Sequence, residues 1–158
     1  MRADRRERAE LRQSLRTLRS EQRQLESAIV AGLLDTADVV LATTTGAADP
    51  VLGERTFELV VVDEAAQALE AATWIPLLRA EKAVLAGDHW QLPPVVQSEA
   101  AAKGGLGTTL FERLAQGQHR DLVARMLTVQ YRMHAKIQAW SSHTFYADTL
   151  VPAEPVRA

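Results

Sequence analysis

The sequence predicts an α/β fold, a parallel sheet with helices on both faces, preceded by a helical arm. Two observations carry this. Three short runs are apolar at nearly every position and each halts at Thr, Gly or Asp, and the first 34 residues carry an apolar seam at helical spacing with no Pro. Strands buried on both faces read as continuous apolar runs, whereas a helix with one buried stripe repeats at three and four.

Taken in order, Leu11, Leu15, Leu18, Gln22, Leu25 and Ile29 follow at spacings of four and three. This heptad-type seam with one polar interruption predicts a long helix ending near Gly32. It suits a solvated helix with one buried face, or a short coiled-coil surface. The first strand run, Val39-Val40-Leu41-Ala42, is stopped by Thr43-Thr44-Thr45-Gly46. The second, Phe57-Glu58-Leu59-Val60-Val61-Val62, is β-branched and stops at Asp63-Glu64; the third, Lys82-Ala83-Val84-Leu85-Ala86, stops at Gly87-Asp88. Between them, residues 65–78 set Leu69, Trp74, Leu77 and Leu78 at helical spacing, which makes a βαβ unit. Functional groups then belong at the carboxyl ends of the strands, where the polar clusters lie. Beyond Pro93-Pro94, residues 98–107 read as a loop and 108–116 as a helix. The apolar stretch 122–129 leads into Gln130-Tyr131-Arg132-Met133-His134, and a last helix carries Ile137, Trp140 and Phe145.

Composition narrows the function. At 158 residues, 47% hydrophobic and 24% charged, the chain suits one globular domain or a piece of a larger one. A formal charge of −2 leaves no global basic field, so any nucleic-acid contact has to be local. The absence of Cys excludes a disulfide scaffold, a thiolate nucleophile and Cys-type zinc sites. No apolar stretch is long enough to span a bilayer, and the charged start has no secretory apolar segment, so a cytoplasmic or nuclear setting is expected, with no membrane partner.

Three clusters carry chemistry. A strand that delivers adjacent Asp63 and Glu64 to its open end suits phosphoryl transfer to water: one carboxylate holds hydrated magnesium, the other orients or deprotonates the attacking water. At the end of the neighbouring strand, Gly87-Asp88-His89-Trp90-Gln91-Leu92-Pro93-Pro94 brings a neutral Gln that can hydrogen-bond a terminal phosphate without disturbing the metal. In the third cluster Arg132 can neutralise charge on a transferred phosphoryl group, and Tyr131 can stack on a purine. Each cluster alone also fits a bland reading: a solvated acid pair, a plain turn and a surface ion pair.

Together and in this order, Asp63-Glu64-Ala65-Ala66-Gln67, Gly87 to Pro94 and Gln130 to His134 resemble motifs II, III and IV of superfamily 1 helicases. The likeness is nearest to the immunoglobulin mu-binding type in the group of the nonsense-mediated-decay helicase, because residues 39–47 and Gln67-Ala68-Leu69-Glu70 also match. It covers roughly residues 38 to 150. The resemblance implies a partial RecA-like P-loop NTPase fold that uses ATP and magnesium. Asp63 would hold magnesium, Glu64 would activate water and Gln91 would sense the terminal phosphate. Arg132 would reach that phosphate from a second RecA-like domain, with Gln130 and Tyr131 at the nucleotide and Tyr131 against adenine. Thr43, Thr44, Thr45 and Gly46 would touch the backbone of single-stranded RNA or DNA, with Pro93 and Pro94 close to the strand. Such helicases move 5′ to 3′.

Two departures stand out. Trp90 occupies a position where relatives often carry Lys. No Gly-x-x-x-x-Gly-Lys-Ser/Thr loop exists in the sequence; Lys103-Gly104-Gly105-Leu106-Gly107-Thr108-Thr109 has its Lys before the glycines and reads as a link, not a phosphate cradle. The expectation is a fragment: a helical arm (1–36), the later half of a first RecA-like domain (37–120) and the start of a second (121–158). Its partners would be nucleic acid and the missing helicase segments of the parent chain. Alone it should not hydrolyse ATP, and its sheet should have unpaired edges. The alternatives are an inert nucleic-acid- or protein-binding remnant and a metal-dependent phosphoesterase using Asp63, Asp88, His89 and His134.

Overall fold

A computed structural model describes residues 2–157. The chain falls into two compact units, one up to Phe57 and one from Glu58.

The first unit is dominated by α1, Arg2–Thr36. Good helix formers fill it, and no Pro interrupts the amide ladder. It runs through Gly32, where the sequence predicts an end, and stops at Thr36, whose hydroxyl donates back to the Gly32 carbonyl (3.0 Å). The predicted seam of Leu11, Leu15, Leu18, Leu25 and Ile29 is exposed along its length. Two 3-10 turns follow, Gly46–Ala48 and Pro50–Leu52, the second capped by Asp49, whose carboxylate accepts from Val51 N (2.8 Å). Ala47 and Leu52 are the buried apolar residues. Residues 39–42 do not form the expected strand; Leu41 is 92% exposed. Extended backbone needs a hydrogen-bonded neighbour, and no described strand pairs with this segment. Arg55 fastens the end of α1: its guanidinium donates to Asp35 Oδ1 (2.6 and 2.9 Å) and to the carbonyls of Ala31 (3.4 Å) and Leu52 (3.3 Å).

In the second unit come β1 (Phe57–Val62), α2 (Glu70–Leu77), β2 (Ala80–Leu85), α3 (Glu99–Lys103), α4 (Leu110–Gln116), α5 (Arg120–Val123), β3 (Val129–Gln130), α6 (Ala135–Phe145) and β4 (Val151–Pro152). β1 and β2 are neighbours in one sheet. Past its end, Ala86 donates to Val62 O (2.9 Å) and accepts from Ala65 N (2.8 Å), partners three residues apart, so one extra residue bulges out of the turn that holds Asp63 and Glu64. The second sheet pairs β3 with β4 in parallel, Val129 opposite Val151 and Gln130 opposite Pro152.

Helix starts follow the capping rule. Ser98 Oγ accepts from Ala101 N (3.3 Å), Thr109 Oγ1 from Glu112 N (3.0 Å) and His134 Nδ1 from Lys136 N (3.1 Å). The expected helix over 65–78 is split: residues 65–67 form a 3-10 turn, Ala68 and Leu69 take extended backbone (ψ 128° and 140°), and α2 starts only at Glu70. The loop expected over 98–107 contains the short α3, and the apolar stretch 122–129 supplies only the last two residues of α5 and the first of β3. Lys103 ends α3, and Gly105 behind it takes φ +92°, so the glycines close a helix and open none.

The core is small. Val62, Ala65, Ala66, Leu110 and Ala153 are buried beside Thr73, Thr109, Gln138 and Ser142. Leu59 and Val61, expected between helices, are 51% and 59% exposed. Two strands with α2 packed on β2 do not supply enough layers to cover both faces.

Removing the Arg55 fork by Arg55→Ala should cost about 1 kcal/mol, since one partner is largely exposed. Amide exchange over residues 31–36 should then accelerate about fivefold, the factor that energy represents; unchanged exchange there would show that α1 ends without this clamp.

Candidate functional site

The site is built where β1 and β2 end. Val62 and Ala65 are buried, so the turn between them must lift Asp63 and Glu64 to the surface, and both side chains are exposed. Glu64 does this in the left-handed region (φ 51°, ψ 35°), which costs a non-glycine residue about 1–2 kcal/mol. The turn is braced locally. Glu64 N donates to Asp63 Oδ1 (2.9 Å), and Gln67 Nε2 donates to Glu64 Oε2 (3.0 Å). Residues in this region of backbone space persist where the surroundings fix them, often at functional sites.

The loop after β2 is pressed onto this turn. A Cβ on Gly87 would lie 2.8 Å from Ala66 N and 3.2 Å from Ala65 N, a clash with backbone that cannot move aside. Glycine therefore permits the approach. It sets Asp88 and Gln91 beside the acidic turn. Asp88 organises its own loop: Oδ1 accepts from Trp90 N (3.0 Å), and Oδ2 accepts from Gln91 Nε2 (3.0 Å) and from the Tyr146 hydroxyl (2.5 Å). Burial by itself raises the Asp88 carboxyl, but the hydrogen bonds from Tyr146, Trp90 and Gln91 and the nearby His89 outweigh it and leave the group below its usual range. Tyr146 is pushed up to about 12, by burial first and then by its bond to and the charge of Asp88. Gln91 and Pro93 are exposed and Pro94 is half-buried.

Gln130 ends β3, and Tyr131 and Arg132 occupy the turn after it. The Gln130 amide is fully used within the chain: Oε1 accepts from Arg132 N (2.9 Å) and Met133 N (2.8 Å), and Nε2 donates to Met133 O (2.7 Å) and Gln138 Oε1 (2.7 Å). Gln138, buried on α6, passes the link to Leu150 O (2.6 Å). This network shapes the turn that presents Tyr131, 72% exposed, and Arg132, also exposed. No hydrogen bond or ion pair among the described residues joins Arg132 to Asp63, Glu64 or Gln91. In the first unit, Thr43 Oγ1 accepts from Gly46 N (2.9 Å) and lies 3.4 Å from Thr45 Oγ1, a tight turn with Thr43 and Thr45 exposed and Thr44 and Gly46 half-buried.

The four residues of the phosphoesterase alternative are not gathered. Among the described residues no group of three or more His, Cys, Asp or Glu could hold a metal, and His134 is spent capping α6. An exposed carboxylate pair without such a cage suits magnesium, which keeps most of its waters and takes few protein ligands. Sequence reading offers Asp88 only as a turn residue or a metal ligand, not as the organiser of its loop, and it misses Tyr146, which follows a helix with no spacing that ties it to a loop 58 positions earlier.

Against this geometry the comparisons with known proteins take their place. The profile of the AAA domain family matches residues 1–99, and a second AAA domain profile matches residues 106–158. They define the class as a partial RecA-like fold of the P-loop NTPase type. The chain is 52% identical over 147 residues to DNA-binding protein SMUBP-2 of Mus musculus, covering 90% of this chain and 15% of that protein. It is 45% identical over 152 residues to DNA polymerase alpha-associated DNA helicase A of Schizosaccharomyces pombe, covering 96% and 22%. It is 44% identical over 119 residues to a regulator of nonsense transcripts 1 homolog of Neurospora crassa, covering 75% and 11%. The chain thus belongs to the AAA domain family, among the superfamily 1 helicases of the nonsense-transcript-regulator group. It spans between 11% and 22% of the length of these three relatives.

The Asp88–Tyr146 pair makes a pH prediction with a definite sign. Tyr146, raised from 10.0 to about 12, favours the fold below its ordinary value and loses that contribution as pH climbs through 12. Asp88, lowered, contributes above the ordinary carboxylate range and loses it as pH falls. In Tyr131→Phe, where Tyr146 is the sole tyrosine, tyrosinate absorbance should rise near pH 12 while circular dichroism still reports a folded chain. Adding Asp88→Asn should lower it only part of the way, because burial, the larger cause, remains. Ionisation of Tyr146 near its ordinary value without that second change would contradict the pairing.

Proposed function

We propose that this chain is part of an ATP-dependent helicase that translocates 5′ to 3′ on single-stranded RNA or DNA. In this reading residues 1–36 are a helical arm, 37–120 the later half of a first RecA-like domain and 121–158 the opening of a second. The observation that carries it is the contact of the β1 and β2 ends, which sets the Asp63–Glu64 turn against the loop bearing Gln91.

Asp63 is the magnesium ligand and Glu64 the residue that orients and deprotonates the attacking water. Bound magnesium would neutralise charge on the phosphates during transfer. Gln91 reads the terminal phosphate. Arg132 and Tyr131 come to the nucleotide from the second domain, Arg132 at the transferred phosphate and Tyr131 against adenine. Supporting this, both are exposed and held by a rigid turn. Gln130 serves the nucleotide by fixing that turn. Thr43, Thr44, Thr45 and Gly46, with Pro93 and Pro94, face the strand. The phosphate-binding loop comes from another segment of the parent protein, and the setting is cytoplasmic or nuclear. A non-turnover nucleic-acid- or protein-binding remnant is the second reading, favoured by the lack of a Gly-Lys-Ser/Thr loop in the sequence.

In the full-length protein, Glu64→Gln should lower ATP turnover by about 100-fold or more, the scale of a lost general base, while nucleotide binding persists. Parallel measurement of turnover and of fluorescent-nucleotide affinity decides it. Loss of binding along with turnover would remove Glu64 from this role.

A further inference from the structure

The loop after β2 touches more than its own sheet. On one side His89 faces Phe111 of α4, with ring centroids 6.3 Å apart; on the other Trp90 faces Phe145 at the end of α6, 6.4 Å apart. His89 and Trp90 themselves lie 5.1 Å apart, and Phe145 meets Trp140 edge-on at 5.7 Å. These separations fall in the attractive range for aromatic pairs. Trp90 is the departure noted in the sequence, and its ring is what Phe145 meets. Next to this aromatic run, the Tyr146 hydroxyl donates to the same Asp88 oxygen that holds the Gln91 amide.

The corner that presents Tyr146 is itself fixed. After α6 the chain turns through Ala147 (φ 46°) and Asp148 (φ 60°), both left-handed without being glycine. Asp148 N donates to Ser142 O (3.0 Å), which also accepts from Tyr146 N (3.1 Å), and Asp148 Oδ2 lies 3.0 Å from His143 Nδ1. Ser142 is buried, and its Oγ accepts from Leu150 N (3.2 Å). Gln138, on the same helix, bonds the Gln130 side chain that shapes the Tyr131–Arg132 turn. One helix thus grips both polar clusters: the Gln91 loop through Tyr146 and Phe145, and the arginine turn through Gln138.

We propose that Tyr146 is a positioning residue for Gln91, and that α6 is the rigid connector through which the state of the Gln91 loop is transmitted to the turn bearing Arg132. Release of Gln91 from Asp88 toward a ligand leaves Tyr146 as the remaining donor on that oxygen, which keeps the loop attached to α6. The inference rests on Gln91 as the phosphate-reading residue.

Two measurements on Tyr146→Phe, which deletes only the hydroxyl, separate this inference from the reading beneath it. In this chain, nitrogen–proton spectra should show the Gln91 side-chain amide and the Trp90 indole shifting; changes confined to residues 142–150 would overturn the link. In the full-length protein, turnover should fall by about 2- to 30-fold, the range for residues acting through a contact network, with KM for ATP unchanged. Asp88→Asn should fall in the same range, and the double variant should be no worse than the more damaging single one. Full turnover in Tyr146→Phe, strictly additive losses, or a rise in KM alone would refute the proposal. Phe145→Leu, which removes the ring contact and keeps the hydroxyl, reads the same connection if Tyr146→Phe does not fold. Glu64→Gln on the same protein keeps the two claims apart: if it stays active, the hydrolytic reading fails, and if it is dead while Tyr146→Phe is fully active, only the present inference fails.

Discussion

A single close approach organises the second unit. Ala86, one residue past β2, is bonded on both sides by the end of β1 and the turn after it, and Gly87 has no side chain to hold the two backbones apart. Ala86 holds the Val62 carbonyl and the Ala65 amide, which pins both ends of the Asp63–Glu64 turn, and the chain passes through it with a left-handed residue and a 3-10 segment. The acidic pair is exposed as a consequence of that constraint, and the loop carrying Asp88 and Gln91 has nowhere to go but alongside. Small buried residues, Ala65 and Ala66, allow α4 to close over the turn from the other side.

Above this contact, two side chains act as organisers. Asp88 collects three donors and Gln130 engages four groups, so each fixes the backbone around a more exposed neighbour. Of the exposed neighbours, Gln91 is itself bonded to Asp88, whereas the Tyr131 and Arg132 side chains project from a turn that Gln130 holds through backbone groups. Half-buried polar groups with their hydrogen bonds satisfied, supporting more exposed neighbours, are the arrangement expected of a preorganised site.

Where local chemistry decides structure, the sequence was readable. The β-branched run at 57–62 has no comfortable helical alternative, and Thr109 and His134 stand at positions where a capping group starts a helix. The acidic pair and Gln91 were legible because their motifs sit at strand ends. Residues 39–42 look as strand-like as 57–62, yet a strand exists only with a neighbour, and pairing is not written in the segment itself. The start of α2 is not legible because Ala68 and Leu69, apolar residues within a stretch at helical spacing, take extended backbone in the fold. Tyr146 was invisible for a related reason: its partner is 58 residues away, and only the folded helix end aims the hydroxyl.

The bond between the two strand ends can be observed without any ligand. Scalar coupling through the hydrogen bond, read by nuclear magnetic resonance on the isotope-labelled chain, should connect the Ala65 nitrogen to the Ala86 carbonyl carbon and the Ala86 nitrogen to the Val62 carbonyl carbon. Both couplings present, with slow exchange of the Ala65 amide, is the outcome the account requires. A freely exchanging Ala65 amide with no coupling to Ala86 would mean that the acids and the glutamine loop are not held together, and the site described here would not exist.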